Sequence, residues 1–204
     1  VQGNLKLPAT CMNFDIGNAC LGFVNAIDML TLMIDAGRFQ YGLIVDGESS
    51  REINELTMEM LKQPSTSRQT FFENFATLTL GSGAVAMLIA HKDVAKSAHH
   101  INGSVSRSAT EHSRLCLGNA DGMKADPANV LKHGVTLAHQ TWQVACRELN
   151  NWSDETIDLY VPHQVGNRNM AALNQTLGLT PEKSHLNFDV LGNVGPAALP
   201  ITLA

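Results

Sequence analysis

Three side chains in this sequence, Cys20, His163 and Asn193, can together do chemistry at a thioester carbonyl. An acyl-transferring or carbon–carbon-forming cysteine needs three things: a nucleophilic sulfur, a site for the oxyanion and a group that handles protons. Cys20 would supply the sulfur. A neutral imidazole at His163 offers an N–H donor or accepts a proton, and the Asn193 amide donates without carrying a charge. A His and Asn donor pair suits an enolate or thioester oxyanion. Each residue alone also has a packing explanation. Free cysteines are commonly buried and inert, a histidine after a strand is commonly structural, and an asparagine among glycines is commonly a turn residue.

Position connects the three. Each lies just past an apolar run of strand length and at or near the start of a helix, and open α/β sheets gather ligands at such ends. The stretch 12–48 reads as a short strand, Cys20 at a turn, a helix and a second strand at 41–46. From Leu21 the apolar residues recur at helical spacing with little polar surface, which predicts a helix buried on most sides. Gly37 stands where a C-cap glycine belongs. A helix N-terminus presents unpaired N–H groups and partial positive charge, so this placement predicts a Cys20 thiolate favoured over the thiol.

Further along, residues 48–75 form a polar excursion with a helix at 53–61, the pattern of a surface cover or flap. Residues 75–90 read as two β elements joined at Gly81-Ser82-Gly83, glycines that imply close backbone approach or positive φ. A polar connection at 91–100 leads to a strand at 101–109 and an irregular stretch at 111–129. Asn129 is placed to cap a long helix over 130–149. A strand at 157–161 ends at Pro162-His163, a helix spans 167–177 and stops at Gly178, and a last strand at 188–191 runs into Asn193 and a further helix near 196–198. This alternation predicts an α/β protein with mixed sheets layered by helices.

Composition narrows the function classes. With 44% hydrophobic and 16% charged residues, the 204-residue chain can bury a core. A net charge of −5 argues against nucleic acid as the main partner. The four cysteines lack CxxC or metal-finger spacing, so free thiols in a cytoplasmic compartment are expected, with no metal site. No apolar run reaches the ~20 residues that cross a bilayer. Met29 and Met33 fit either an acyl-channel wall or a plain core helix. Glu48, directly after a strand, fits a structural acceptor or a site residue. Arg51, Arg68 and Arg107 fit cofactor phosphate contacts or solvated surface charge.

The motifs NACLGF (18–23), PHQVG (162–166) and LGNVGPAALP (191–200), together with GSGAVAML (81–88), resemble the thiolase superfamily. They are most similar to its ketoacyl synthase III branch, and within it to the olefin-biosynthesis thiolases that join two fatty acyl-CoA molecules head to head. The resemblance implies a five-layered αβαβα fold of which this chain is an internal piece with both ends missing. Residues 1–100 would be the latter part of the N-terminal half, carrying the nucleophile Cys20. Residues 101–204 would be most of the C-terminal half, carrying His163 and Asn193. It implies a fatty acyl-CoA or acyl carrier protein thioester as partner, a homodimer, and no cofactor besides the coenzyme A of the substrate. Decarboxylating synthases usually show HQAN where this chain has His163-Gln164-Val165-Gly166, which favours condensation of two acyl-CoA thioesters. The other readings are a decarboxylating 3-oxoacyl-carrier-protein synthase III and a noncatalytic thiolase-like acyl-binding scaffold.

Overall fold

Helix α1 (Gly22–Asp35) sets the first layer because Phe23, Ala26, Leu30 and Ile34 recur on one face, and all four are buried. It ends as a glycine-capped helix should: Gly37 has φ +72°, its N–H donates to Ile34 and the Arg38 N–H donates to Met33. The chain turns back as β1 (Tyr41–Glu48), which pairs antiparallel with β2 (Gly83–Ala90) in a register that places Ile44 opposite Met87 and Glu48 opposite Gly83. Ile44 and Ile89 close the core against α1. The approach is tight, since a Cβ at Gly42 would lie 2.7 Å from Leu30 Cδ1. The structure, a computed structural model, describes residues 1–96, 99–119 and 122–204.

Between the two strands lie α2 (Arg51–Leu61) and α3 (Arg68–Asn74). The Ser67 hydroxyl caps α3 by accepting from the Thr70 N–H at 3.0 Å. After β2, a hairpin pairs β3 (Cys116–Asn119) with β4 (Gly122–Ala125). The long helix α4 (Pro127–Glu148) follows, then α5 (Asn167–Leu177), the single-turn α6 (Phe188–Leu191) and α7 (Ala198–Leu203). A second small core of Val194, Ala197 and Ala198 shares Val85 with the first, so the C-terminal segment packs onto β2.

Several expectations are corrected. α1 is buried on one face only, with Val24, Met29 and Leu32 exposed, because the β1–β2 sheet covers a single side. Met29 is therefore not a core residue of the described structure. Residues 12–18 form no strand, and neither do 101–109. Residues 75–79 form a 3₁₀ turn instead of a β element. At 157–161 only Tyr160 pairs, in an isolated parallel bridge with Ser184, and 188–191 is helical. A strand exists through its ladder, and among the described residues these segments have no continuous ladder partner. The cap of α4 is Asp126, whose carboxylate accepts from the Asn129 N–H, because Pro127 takes the first helical position. The irregular stretch expected at 111–129 instead holds the β3–β4 hairpin. Positions 97–98 and 120–121 of the expected connections lie outside the described residues.

Candidate active site

Cys20 occupies a 3₁₀ turn (Ala19–Leu21) that runs directly into α1. The residue before it, Ala19, has φ +42°, a left-handed conformation that a side chain adopts at a cost. Asn18 braces the turn by donating its amide to Asn25 Oδ1 at 2.6 Å. The thiolate expectation is overturned here. The Leu21 N–H is spent on the Asn18 carbonyl and the Gly22 N–H on the Ala19 carbonyl, so these turn donors are not free for sulfur. Burial pushes the Cys20 thiol up from its ordinary value and Cys116 pushes it the same way; its own N–H lowers it in part, and the Glu48 carboxylate adds the smallest push upward. Cys20 therefore rests as a thiol.

His163 follows the short bridge at Tyr160. Both of its ring nitrogens are fully buried and neither has a hydrogen-bond partner. Burial holds the imidazole below its usual range, so it is neutral at physiological pH. A buried imidazole with an unused donor and an unused acceptor is a group awaiting a partner.

The next residue, Gln164, is 1% exposed and uses both ends of its amide. Nε2 donates to the His185 carbonyl at 3.1 Å and to Thr202 Oγ1 at 3.3 Å. Oε1 accepts from the Asn187 and Phe188 N–H groups at 2.8 and 3.0 Å. His163 is thereby anchored to the segment that leads into Asn193 and to α7 beyond it.

Asn193 is held by backbone pairing. Its N–H donates to the Thr79 carbonyl and its carbonyl accepts from the Gly81 N–H, both at 2.8 Å. Two glycines make this crossing possible. A Cβ at Gly81 would lie 1.9 Å from the Leu191 oxygen, and one at Gly192, where φ is +71°, 2.8 Å from the Thr79 oxygen. Of the two uses the sequence left open for Gly81, close approach is the one realised. Asn193 Oδ1 accepts from the Gly195 N–H at 3.1 Å, which assigns the amide orientation and leaves its NH2 as the donor end.

The Cys20 turn packs against the turn Gly195–Ala197, and β1 packs against the same turn. The structure thus brings Cys20 to the Asn193 loop directly and ties His163 to that loop through Gln164. Among the described residues no hydrogen bond joins the three to one another. The surface clefts lined by Ala171, Asn174 and Gln175 and by Phe72, Leu131 and Arg168 hold none of them. Arg51 pairs with Glu55, and Arg68 lies over the Phe72 ring. No group of three His, Cys, Asp or Glu residues that could hold a metal occurs among the described residues.

Comparison with known proteins decides the family. Residues 14–108 match 3-oxoacyl-[acyl-carrier-protein] synthase III, and residues 148–204 match the C-terminal part of the same synthase. The chain belongs to this family. It is 40% identical, over its whole length, to the acyl-CoA:acyl-CoA alkyltransferase of Xanthomonas campestris pv. campestris, and 35% identical over 94% of its length to that of Shewanella oneidensis. It superposes with a TM-score of 0.96 over 99% of its length, at 39% identity, on a cysteine-to-serine variant of Xanthomonas campestris OleA solved with lauric acid and lauroyl-CoA. The chain spans 60% and 58% of the two curated relatives and 60% of the solved chain. The fold is accordingly thiolase-like, and the chain carries a part of it. Within this synthase III frame, Gln164 and the glycine pair Gly81 and Gly192 are the supporting residues to which sequence reasoning gave no role at the site. The PHQVG motif did contain Gln164, but nothing local marks a glutamine whose partners lie 21 to 38 positions away.

Proposed function

We propose that this protein condenses two fatty acyl-CoA thioesters head to head through an acyl-cysteine at Cys20, with His163 and Asn193 as the donors for the oxyanion and enolate. The observation that carries the reading is the His163 ring, buried, neutral and unpartnered, anchored to the loop on which Asn193 presents its amide. The likeness to acyl-CoA:acyl-CoA alkyltransferases supports the choice of reaction. Solved variants of the Xanthomonas campestris protein carry substitutions at a cysteine and at a histidine, the two residue types assigned here to Cys20 and His163.

Cys20 sulfur bonds to the carbonyl carbon of the first thioester, the bond from that carbon to the coenzyme A sulfur breaks, and the thiol proton leaves with coenzyme A. The second thioester then loses an α-proton to a general base other than His163, whose N–H is committed to the oxygen, and that base later returns the proton to the released Cys20 sulfur. Its enolate oxygen is met by the N–H of neutral His163 and by the Asn193 amide, donors that stabilise charge as it develops. The α-carbon bonds to the acyl carbon, the bond from that carbon to Cys20 sulfur breaks, and the released sulfur is reprotonated. The product is a β-ketoacyl-CoA. A homodimer in the cytoplasm is part of the same proposal.

The test uses the full-length protein with lauroyl-CoA alone. Coenzyme A release beyond one equivalent, with a β-keto product, supports the reading. A single adduct on Cys20 that turns over only after malonyl thioester is added would replace it with the decarboxylating synthase. Cys20→Ala is expected to abolish the adduct, and a labelled acyl group still held covalently by that variant refutes the nucleophile assignment.

A further inference from the structure

Glu48 closes a row of side chains that faces α1. Side chains alternate along a strand, so Gly42, Ile44, Asp46 and Glu48 share the face that buries Ile44 against α1. The short turn after α1 makes β1 run back antiparallel to the helix, and Gly42 meets Leu30. From that contact, Cys20 lies about 15 Å along the helix and Glu48 about 20 Å along the strand, both in the same direction. The row therefore ends beside the Cys20 turn. There the Glu48 side chain meets Gly195: a Cβ added at that glycine would lie 3.3 Å from Glu48 Cδ and 3.5 Å from Cγ. Gly195 has φ +58°, and its N–H is the group that fixes Asn193 Oδ1.

We propose that Glu48 is a positioning residue of this site, its side chain wedged against Gly195 so that the Gly195 N–H stays on Asn193 Oδ1 while the Cys20 turn packs on the same loop. The inference rests on the condensing reading above. Electrostatics supports the placement independently. The Glu48 carboxylate is one of the groups that disfavour a Cys20 thiolate, and burial and then Asp46 raise its own carboxyl above the usual range. The groups acting on Cys20 are thus Glu48 from β1 and Cys116 from β3, with Asp46 acting on Glu48.

The experiment compares Glu48→Gln and Glu48→Ala in the full-length protein. Two readouts are taken, the pH profile of Cys20 alkylation by iodoacetamide and the kcat and KM for lauroyl-CoA condensation. Glu48→Gln keeps the wedge and removes the charge. Its alkylation midpoint is expected to move to lower pH, and it restores most of the kcat that Glu48→Ala loses. Glu48→Ala removes the wedge, and kcat is expected to fall roughly ten- to a hundredfold, with a much smaller change in KM, as for a donor mis-aimed rather than deleted. An alkylation profile unchanged in Glu48→Gln overturns the placement of its carboxylate beside the Cys20 turn, and a Glu48→Gln kcat that falls roughly ten- to a hundredfold overturns the wedge, even where Glu48→Ala does not fold. So does a Glu48→Ala enzyme with kcat within twofold of the parent. Alkylation does not depend on acyl chemistry, so a parent protein that takes up no acyl group refutes the condensing reading while the profile still decides the place of Glu48.

Discussion

Replacing Gln164 separates the support of the site from its chemistry. Gln164→Leu keeps the approximate volume and removes all four hydrogen bonds of the amide. Thr202 Oγ1 retains other partners, accepting from Asn187 Nδ2 and donating to the Ala198 carbonyl. The Asn187 N–H, the Phe188 N–H and the His185 carbonyl do not regain a partner without movement of the loop. A buried backbone group left unpartnered costs about 1–3 kcal/mol. Asn187 and Phe188 are half-buried and His185 is exposed, so water and relaxation offset part of this and the loss is about 2–4 kcal/mol. Gln164→Glu is the informative companion. One carboxylate oxygen still accepts from both N–H groups, while the other faces the His185 carbonyl with no proton to donate, so the loss is expected to be smaller and to shrink on acidification as the carboxyl gains a proton. Urea unfolding midpoints of the full-length variants at constant m measure both effects. A Gln164→Leu protein within 1 kcal/mol of the parent would mean that the amide network does not hold His163 against the Asn193 segment.

Two further substitutions test the frame. Gly81→Ala places a methyl group against the Leu191 carbonyl and forces apart the crossing that holds Asn193; a loss above about 3 kcal/mol, or failure to fold, is expected. Gly134→Ala in the open middle of α4, where a Cβ meets nothing within 4 Å, is expected to gain about 0.5–1 kcal/mol in the same unfolding assay; equal behaviour of the two variants refutes the close-approach argument. Asp154 accepts from the Thr180 hydroxyl, the Thr180 N–H and the Tyr160 hydroxyl, which hold its carboxyl down at about 2. A depressed carboxylate stabilises the fold fully above its unfolded value, and that contribution is lost as pH falls through the folded one. The stability gap between the parent and Asp154→Asn should therefore be constant above about pH 5 and close as pH falls towards 2; a gap that stays the same across that window counts against the network.

What the sequence made legible was local. The helical period of α1, the Gly37 and Gly178 stops, and the apolar run of β1 depend on neighbours within a few residues, and each element stands where the pattern places it. The order Cys20, His163, Asn193 was legible because the motifs around it are contiguous. The misses share a cause. Segment 188–191 has a strand-like composition, but its leading N–H groups are taken by Gln164 Oε1, 23 and 24 positions away, and the chain coils into a single helical turn. Segment 101–109 alternates like a strand, yet alternation specifies a face and not a partner. A generic helix N-terminus predicts a Cys20 thiolate, but the 3₁₀ entry turn spends the Leu21 and Gly22 N–H groups on its own carbonyls. One signal marks the unforeseen α3 and another corrects the start of the expected α4. Ser67 stands three residues before Thr70 at the start of α3, and Asp126-Pro127 marks the true start of α4.

The electrostatic state of the site follows from these placements. Cys20 is a thiol, His163 a neutral imidazole and Asn193 an amide, so the three groups assigned to the proposed reaction carry no formal charge at rest. The carboxyl acting on Cys20 is that of Glu48, with Asp46 acting on Glu48 in turn, and burial raises both above the usual range. In the proposed condensation, a resting thiolate–imidazolium pair would place a cation where the enolate is to form and would tie up the His163 N–H in advance. Neutral donors avoid that competition. Backbone pairing holds Asn193 and the Gln164 amide ties the residue next to His163 to the same segment, so the proposed reaction would need little reorganisation of its donors. The cost appears elsewhere, in a left-handed Ala19, two glycines at a backbone crossing and an imidazole buried without a partner. These are departures from local preference that a fold keeps where the arrangement of a site depends on them.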